Sequence, residues 1–368
     1  MSSTTKAKHR ALIIGGGIHG LTTALALARE GIAVTVIEKN TDVLDGTSNA
    51  THNRAHMGYH YPRSIETAEE CLRGLAFFKE HFPETLHYPE ESYYLIEENS
   101  KTSAADFERF CQRVGIPYEI IKTNPRAWHS AHIECGFRVP EPVFDMPATK
   151  RILRHKAEQM GVTLVLGTEV IGFEKADGAY RIIARHQSQT DHYTADILVN
   201  ATYAYTNNLL KLLGLHDDMT EYELQKTEVV TVHSKERLPA LTVMDGKFVS
   251  IMPLANTPHT YLVYDVDHSV VSRENGFFLD TTKTHPSNFA KMVEHGKKYF
   301  PFMEKLQFVK SNYGFRPIPL QAVGDSRQTR LLAHQRHQDI YTICEGKFIS
   351  APLIADELVQ LMKKNNTL

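Results

Sequence analysis

The sequence predicts an α/β fold in which a parallel βαβ unit is interleaved with an α+β domain built on a mixed, largely antiparallel sheet. Three observations predict it. A short apolar run, Ala11–Ile14, breaks into Gly15-x-Gly17-x-x-Gly20. The middle of the chain carries short alternating runs punctuated by Asp-Gly pairs. Near the end the pattern returns to one apolar strand followed by a helix.

Taken in order, Ala11–Ile14 reads as a strand, Gly15–Gly20 as a tight turn, Leu21–Glu30 as a helix stopped by Gly31, and Ala33–Glu38 as a parallel strand. Those four pieces make one βαβ unit. From Glu66 to Phe82, Ala68, Cys71, Leu72, Leu75 and Phe78 fall near helical spacing. Residues 83–147 are proline-punctuated and aromatic, and are expected to be irregular. Helical pattern resumes at Ala148–Met160, followed by a strand at Val162–Leu166, a hairpin turning at Asp177-Gly178, and an apolar strand at Ile197–Val199. Glu228–Val232, Phe248–Met252 and Tyr261–Val266 read as antiparallel strands, with Asp245-Gly246 marking another hairpin turn. The strand Ile340–Cys344 leads through Glu345-Gly346-Lys347 to a helix from Pro352 to Lys363. Because the two kinds of structure alternate, the expected domains are discontinuous. Residues 8–84, 146–220 and 318–368 form the nucleotide-binding one, and 85–145 with 221–317 the substrate or cap domain.

At 368 residues the chain exceeds one ordinary core, and 42% hydrophobic with 23% charged residues describes a soluble globular protein. A formal charge of -2 gives no broad basic field, so nucleic acid and anionic membranes are not expected partners. The four cysteines, Cys71, Cys111, Cys135 and Cys344, form no CxxC pair. Reduced buried thiols are expected, with neither zinc nor a disulfide framework. No apolar stretch suits a signal-peptide core or a membrane span, so a cytoplasmic protein is expected.

The glycine motif carries its own chemistry. Gly15 permits the tight turn, Gly17 lets backbone approach a pyrophosphate, and Gly20 lets the helix pack closely on the sheet. The helix N-terminus offers N–H groups and a positive dipole end to phosphates. Glu38 closes the second strand, where a carboxylate accepts bonds from ribose hydroxyls and repels a 2′-phosphate. This is a Rossmann-like dinucleotide site, and the motif alone does not choose between FAD and NAD. Three features choose FAD. Regular βαβ repeats do not follow the first unit. The segment Asp45–Arg63 is polar and glycine-bearing, as suits backbone wrapped on a cofactor. Gly346–Pro352 supplies a second helix N-terminus able to face an anionic group.

Together Ile13–Glu38, His56-Met-Gly58-Tyr-His-Tyr61, Ala195–Thr202 and Gly346–Leu358 resemble the D-amino-acid-oxidase superfamily of FAD enzymes. The resemblance implies a bilobal fold, with noncovalent FAD extended across the first lobe and a mixed sheet covering the flavin. It places Gly15, Gly17, Gly20 and Glu38 on the pyrophosphate and adenosine ribose, and Thr47 and Ser48 along the cofactor. His56 and Gly58 would pass close to the isoalloxazine, and Gly346, Lys347 and Phe348 would face its pyrimidine edge. Ile18, His19, Lys39, Val170, Ala201, Thr202 and Ile349 complete the expected cofactor contacts. In one departure, Tyr203 stands where many members have glycine, so it either displaces the backbone or reaches into the site.

Arg316, in Tyr313-Gly-Phe-Arg-Pro317, resembles the arginine that holds a substrate carboxylate in several amino-acid-oxidising members. A guanidinium grips a carboxylate with two prongs, though an arginine tying strand to loop fits equally. His56 is a candidate base toward a substrate hydroxyl, or a cofactor contact, and His52 and His60 share that position. Tyr59, Tyr61 and Arg63 are candidate pocket groups, and Trp128 is expected in the core. The expected reaction is hydride transfer to flavin from a carbon bearing an amino or hydroxyl group, in a small carboxylate-containing substrate. Arg316 leans the expectation toward amino acids and amines. A 2-hydroxy-acid or polyol dehydrogenase is the alternative on the same fold, and a flavin-bound binding subunit the alternative of another class. The electron acceptor stays open among oxygen, quinone and a redox protein.

Overall fold

The computed structural model describes residues 9–124, 126–176, 179–246, 248–321, 329–334, 337–344 and 346–368. The first strand, Arg10–Ile14, buries its last four residues, as a strand covered on both faces must. It pairs in parallel with Ala33–Ile37 on one side and Ile197–Asn200 on the other. Around it lies a six-stranded sheet, ordered Arg330–His334, His337–Cys344, Ile197–Asn200, Arg10–Ile14, Ala33–Ile37 and Thr163–Val165. Its one antiparallel strand is the edge strand Arg330–His334.

The helix Ile18–Arg29 starts earlier than the sequence pattern places it, because Gly17 already serves as the N-cap. It buries Leu21, Ala24, Leu25 and Leu27 with Ile354, Ala355 and Leu358 of the C-terminal helix Ala351–Lys364. The helix Ile65–His81 matches the expected periodicity, capped by Ser64 accepting from Thr67 N–H.

The second sheet has nine strands. It runs Val270–Gly276, Tyr222–His233, Thr260–Asp265, Val249–Pro253, Ala240–Met244, Ser92–Glu97, Ile133–Arg138, Glu119–Ile121, and Gln307–Pro319 pairs along the whole of Tyr222–His233. All its pairings are antiparallel except Ala240–Met244 on Ser92–Glu97. The Asp245-Gly246 turn joins Ala240–Met244 to Val249–Pro253 as expected. Thr168–Ala176, Ala179–His186 and Gln189–Ala195 form a separate antiparallel sheet. The expected turn residues Asp177 and Gly178 lie outside the described residues, as does Glu345.

The expectation of irregular structure over 83–147 is overturned. That stretch holds the helix Ala104–Val114, with Ser103 as N-cap and Gly115 in the left-handed region at φ 76. It also holds three strands of the large sheet. Ser92–Glu97 finds its parallel partner almost 150 residues downstream, at Ala240↔Ser92 through Met244↔Ile96, and no local pattern reports such a pairing. Trp128 is buried against Tyr93, as expected of a core residue. All four cysteines are buried, and none of them is in a disulfide. Among the described residues, no helix is long and apolar enough to cross a membrane.

Residues 45–63 form the seam between the two sheets. Thr47 Oγ1 bonds the Phe315 backbone, and His52 Nδ1 lies 3.2 Å from Ser250 Oγ. Arg54 crosses into the large sheet, where its guanidinium donates to Tyr94, Glu141 and Thr242.

Candidate active site

A cavity of about 410 Å3 opens at the carboxyl ends of the parallel strands, where Ile14, Ile37 and Ala201 meet Gly346. That is where open α/β sheets bind ligands. Of the residues singled out in the sequence, Gly15, Gly17, Ile18, His19, Glu38, Lys39, Thr47, Ser48, Val170, Ala201, Thr202, Tyr203, Gly346 and Phe348 line it. Thr51, Tyr205, Asn208, Leu279 and Thr281 line it as well, and no motif marks them. They come from segments that only the tertiary fold brings to the first βαβ unit.

The turn geometry explains the glycines. Gly15 has φ 106, and a Cβ there would lie 2.6 Å from the Ala201 carbonyl oxygen. A Cβ on Gly20 would lie 1.8 Å from the Gly15 carbonyl oxygen, so helix and turn meet without room for one methyl. Gly20 therefore acts through packing and lies outside the cavity lining. Gly17 brings no side chain to the helix N-terminus, and Ser48 Oγ accepts from Ile18 N–H at 3.2 Å.

Glu38 is buried, and its carboxylate accepts from Gly16 N–H at 2.6 Å and Asn40 N–H at 2.8 Å. It thus locks the glycine turn as well as facing the cavity. Lys39 Nζ sits 3.3 Å from the Tyr205 ring centroid, a cation–π contact on the cavity wall. Tyr203, the departure noted in the sequence, has φ 55 and lines the cavity. The backbone keeps a conformation that glycine adopts freely, at a cost of roughly 1–3 kcal/mol for a tyrosine.

His19 Nε2 is buried on the cavity wall without a hydrogen-bond partner among the described residues. A buried orphan of this kind, beside an N-terminus free of side chains, fits a polar ligand such as a dinucleotide. Burial lowers the His19 pKa to about 4, and burial also holds His52 and His56 well below 6.5. The unfolded chain protonates these rings near pH 6.5 and the folded chain does not. Stability is therefore full above 6.5 and falls as the pH drops, for His19 until about 4. His19 alone contributes a loss of roughly 3 kcal/mol over that window. Thermal melts of the purified protein should show Tm falling from neutral pH toward pH about 5, and less steeply in His19→Asn. A level Tm across that range would contradict these burials.

A second polar group lies in the seam. His56 packs against His60 and Tyr61, with ring centroids 5.5 and 5.3 Å away. Lys347 Nζ lies over the Tyr61 ring at 5.3 Å and pairs with Glu70 at 3.5 Å. Since Gly346 and Phe348 line the cavity, Lys347 ties this group to it. After burial, the charges of Arg54 and Lys347 lower the His56 pKa further, as does the repulsion it would meet from a charged His60 or His52. His56 Nδ1 and His52 Nε2 are buried and have no hydrogen-bond partner among the described residues.

The sequence analysis missed Arg54 and Glu141, which hold this group. Both side chains are buried, and Glu141 accepts from Arg54, from Tyr94 O–H at 2.6 Å and from Met57 N–H at 2.8 Å. The carboxylate fixes the backbone next to His56. Losing either partner of such a pair costs about 3–5 kcal/mol.

Other expected site residues lie outside the cavity lining. Tyr59 is fully buried, its hydroxyl donating to the Pro117 carbonyl and its ring 5.5 Å from that of Tyr94. The reason is Gly58, whose φ of 101 turns the chain against Ala68 and sends Tyr59 into the core. Gly58 thereby shapes the segment without lining the cavity. Ile349 is also core, its carbonyl packed over Gly74. Arg316 lies on Gln307–Pro319 outside the cavity lining, with Nε and Nη2 both donating to Gln225 Oε1.

The sequence matches the family described as FAD dependent oxidoreductase, DAO, over residues 10–361. The chain belongs to the DAO family. It is therefore an FAD-dependent oxidoreductase, and an enzyme in place of the binding subunit left open by the sequence. It is 27% identical to the FAD-dependent monooxygenase kojA of Aspergillus flavus, covering 95% of this chain and 85% of that one. The DAO fold is shared with glycine oxidase from Geobacillus kaustophilus, at TM-score 0.74 and 18% identity over 97% of this chain and 95% of that one. It is shared too with the L-alpha-glycerophosphate oxidase of Mycoplasma pneumoniae, dithionite-reduced with FAD bound. There the TM-score is 0.76 and the identity 20%, over 97% and 95% of the two chains. The glycine turn, Glu38, the orphaned His19 nitrogen and the Gly346–Phe348 loop fit that cofactor.

Proposed function

We propose that this DAO-family enzyme oxidises a hydroxyl-bearing carbon of a small anionic substrate, with His56 as the base. The observation that carries the reading is the half-buried group of His52, His56 and His60 beside Lys347. When bound, FAD supplies the hydride acceptor. His56, held neutral by burial and neighbouring positive charge, takes the hydroxyl proton. The same positive charge from Arg54 and Lys347 favours the developing alkoxide and an anionic substituent. It disfavours an incoming ammonium, which turns the preference away from the amines that Arg316 first suggested.

Arg316, next to Phe315 whose backbone bonds Thr47 of the cavity wall, grips the anionic substituent in this reading. Gln225 takes two of the five guanidinium N–H donors and fixes its plane, leaving three for a ligand. FAD is held noncovalently in this reading, because Cys344 is buried and burial pushes the Cys71 thiol up to about 12. Amino-acid oxidation is the second reading, favoured by Arg316 and by the fold shared with a glycine oxidase.

Arg316→Lys should lower kcat/KM at least about tenfold on the reducing substrate, because an ammonium cannot reproduce a planar two-pronged contact. FAD content should not change. Flavin bleaching with hydroxy acids and polyol phosphates, set against amino acids with ammonia assayed, decides between the two readings. Bleaching by amino acids alone, with ammonia released, would sink the alcohol assignment.

A further inference from the structure

A second group of metal-competent side chains lies in the large-sheet domain, on elements that contribute nothing to the cavity lining. Asp265 ends the strand Thr260–Asp265 and is fully buried. Its Oδ1 accepts from Asp267 N–H at 2.9 Å and His268 N–H at 3.2 Å, which shapes the turn. Its Oδ2 lies 2.7 Å from Nδ1 of His295, on the helix Phe289–Gly296. The His268 ring stands 5.8 Å from the His295 ring at 85°. His268 is held in place from behind, since its carbonyl accepts from Asn288 Nδ2 at 2.9 Å. One carboxylate oxygen and one nitrogen from each imidazole all lie within 4.8 Å of one another.

We propose that Asp265, His268 and His295 form a site for a zinc-class divalent cation. Two imidazoles and one carboxylate are the donors such an ion prefers, and water completes the shell. Around a tetrahedral ion at about 2.0–2.1 Å, ligand atoms stand about 3.3 Å apart. Asp265 and His295 stand closer than that, at 2.7 Å, and part slightly to admit the ion, while a swing of the half-buried His268 ring closes the set. The surrounding charge favours a cation. Asp267 and Glu97 stand beside the group, against the one ammonium of Lys298, which Glu97 already binds. Both imidazoles must shed or redirect a proton, so the ion replaces the hydrogen of the Asp265–His295 bond. The ion would then staple the turn after Thr260–Asp265 to the helix Phe289–Gly296, adding to the Asp265–His295 and Asn288–His268 hydrogen bonds that already join them.

The test uses the purified flavoprotein, treated with chelator, dialysed, and titrated with zinc chloride at neutral pH. Wild type should bind one equivalent tightly enough to raise Tm by several degrees. His268→Ala should keep the metal-free Tm of wild type, lose the zinc-induced rise, and bind at least tenfold more weakly. His295→Asn should lose the rise as well. Exposed histidines elsewhere bind zinc adventitiously, but that binding would be equal in all three proteins. A wild type that shows no saturable equivalent, or a His268→Ala that keeps the rise, overturns the site.

Discussion

Gly20→Ala is expected to yield a protein that loses FAD and melts well below the wild type. The added methyl would lie 1.8 Å from the Gly15 carbonyl oxygen and 3.0 Å from its carbonyl carbon. Both are backbone atoms of the turn, so no side-chain rotation relieves the overlap. The helix Ile18–Arg29 must lift from the strand Arg10–Ile14, and its buried partners Leu21 and Ala24 lose contact with the C-terminal helix. Backbone overlap of this kind belongs with the large destabilisations, about 3 kcal/mol or more. In a chain of this size that is on the order of 5–10 °C in Tm. Differential scanning fluorimetry and the flavin-to-protein absorbance ratio measure the two effects. Wild-type values for both would mean that the turn is not built as described. Gly31→Ala is a useful comparison, because a Cβ there meets nothing within 4 Å, and any loss reflects only its φ of 79.

The second large effect concerns His56. His56→Gln should slow flavin reduction by about 10²–10⁴-fold, the range for removing a positioned base. FAD content should stay that of wild type, since His56 lies outside the cavity assigned to the dinucleotide. A second readout separates base from bystander. Burial and neighbouring charge hold the His56 pKa well below 6.5, so the wild-type rate should persist on the acid side of 6.5. In His56→Gln the remaining rate should rise with pH, as hydroxide and substrate ionisation take over the proton. A variant that reduces flavin at the wild-type rate with the same pH profile would falsify the assignment. His52→Gln should do less, because His52 already spends Nδ1 on Ser250.

Much of the cavity lining was legible along the chain because its parts are local. Gly15, Gly17, Gly20 and Glu38 sit within one βαβ unit, and strand pattern, turn and helix report one another over a short span. Gly346 and Phe348 were legible for the same reason, as the lead-in to a helix. Tyr203 departs from the glycine of many relatives, and its φ of 55 shows a tyrosine held in the glycine-favoured conformation. The helix Ala104–Val114 carried local signals too, in the Ser103 cap and Gly115, and was overlooked in a proline-rich context. The strand Ser92–Glu97 carried no such signal, because its partners lie about 40 and almost 150 residues away.

By itself the sequence determined the α/β class, the place of the dinucleotide turn and the flavoprotein character. Those depend on backbone conformations that neighbouring residues enforce. Only the tertiary structure decided what the polar seam does. Tyr59 and His60 are adjacent in sequence, yet one is buried against Tyr94 and the other faces His56. Arg54 carries no signal within its polar segment, and Glu141, Tyr94 and Thr242 close around it from strands and loops 40 to 188 residues away. Whether a histidine is a base or a solvated surface group depends on burial and on which charges surround it. Both are properties of packed elements, and no spacing along the chain encodes them.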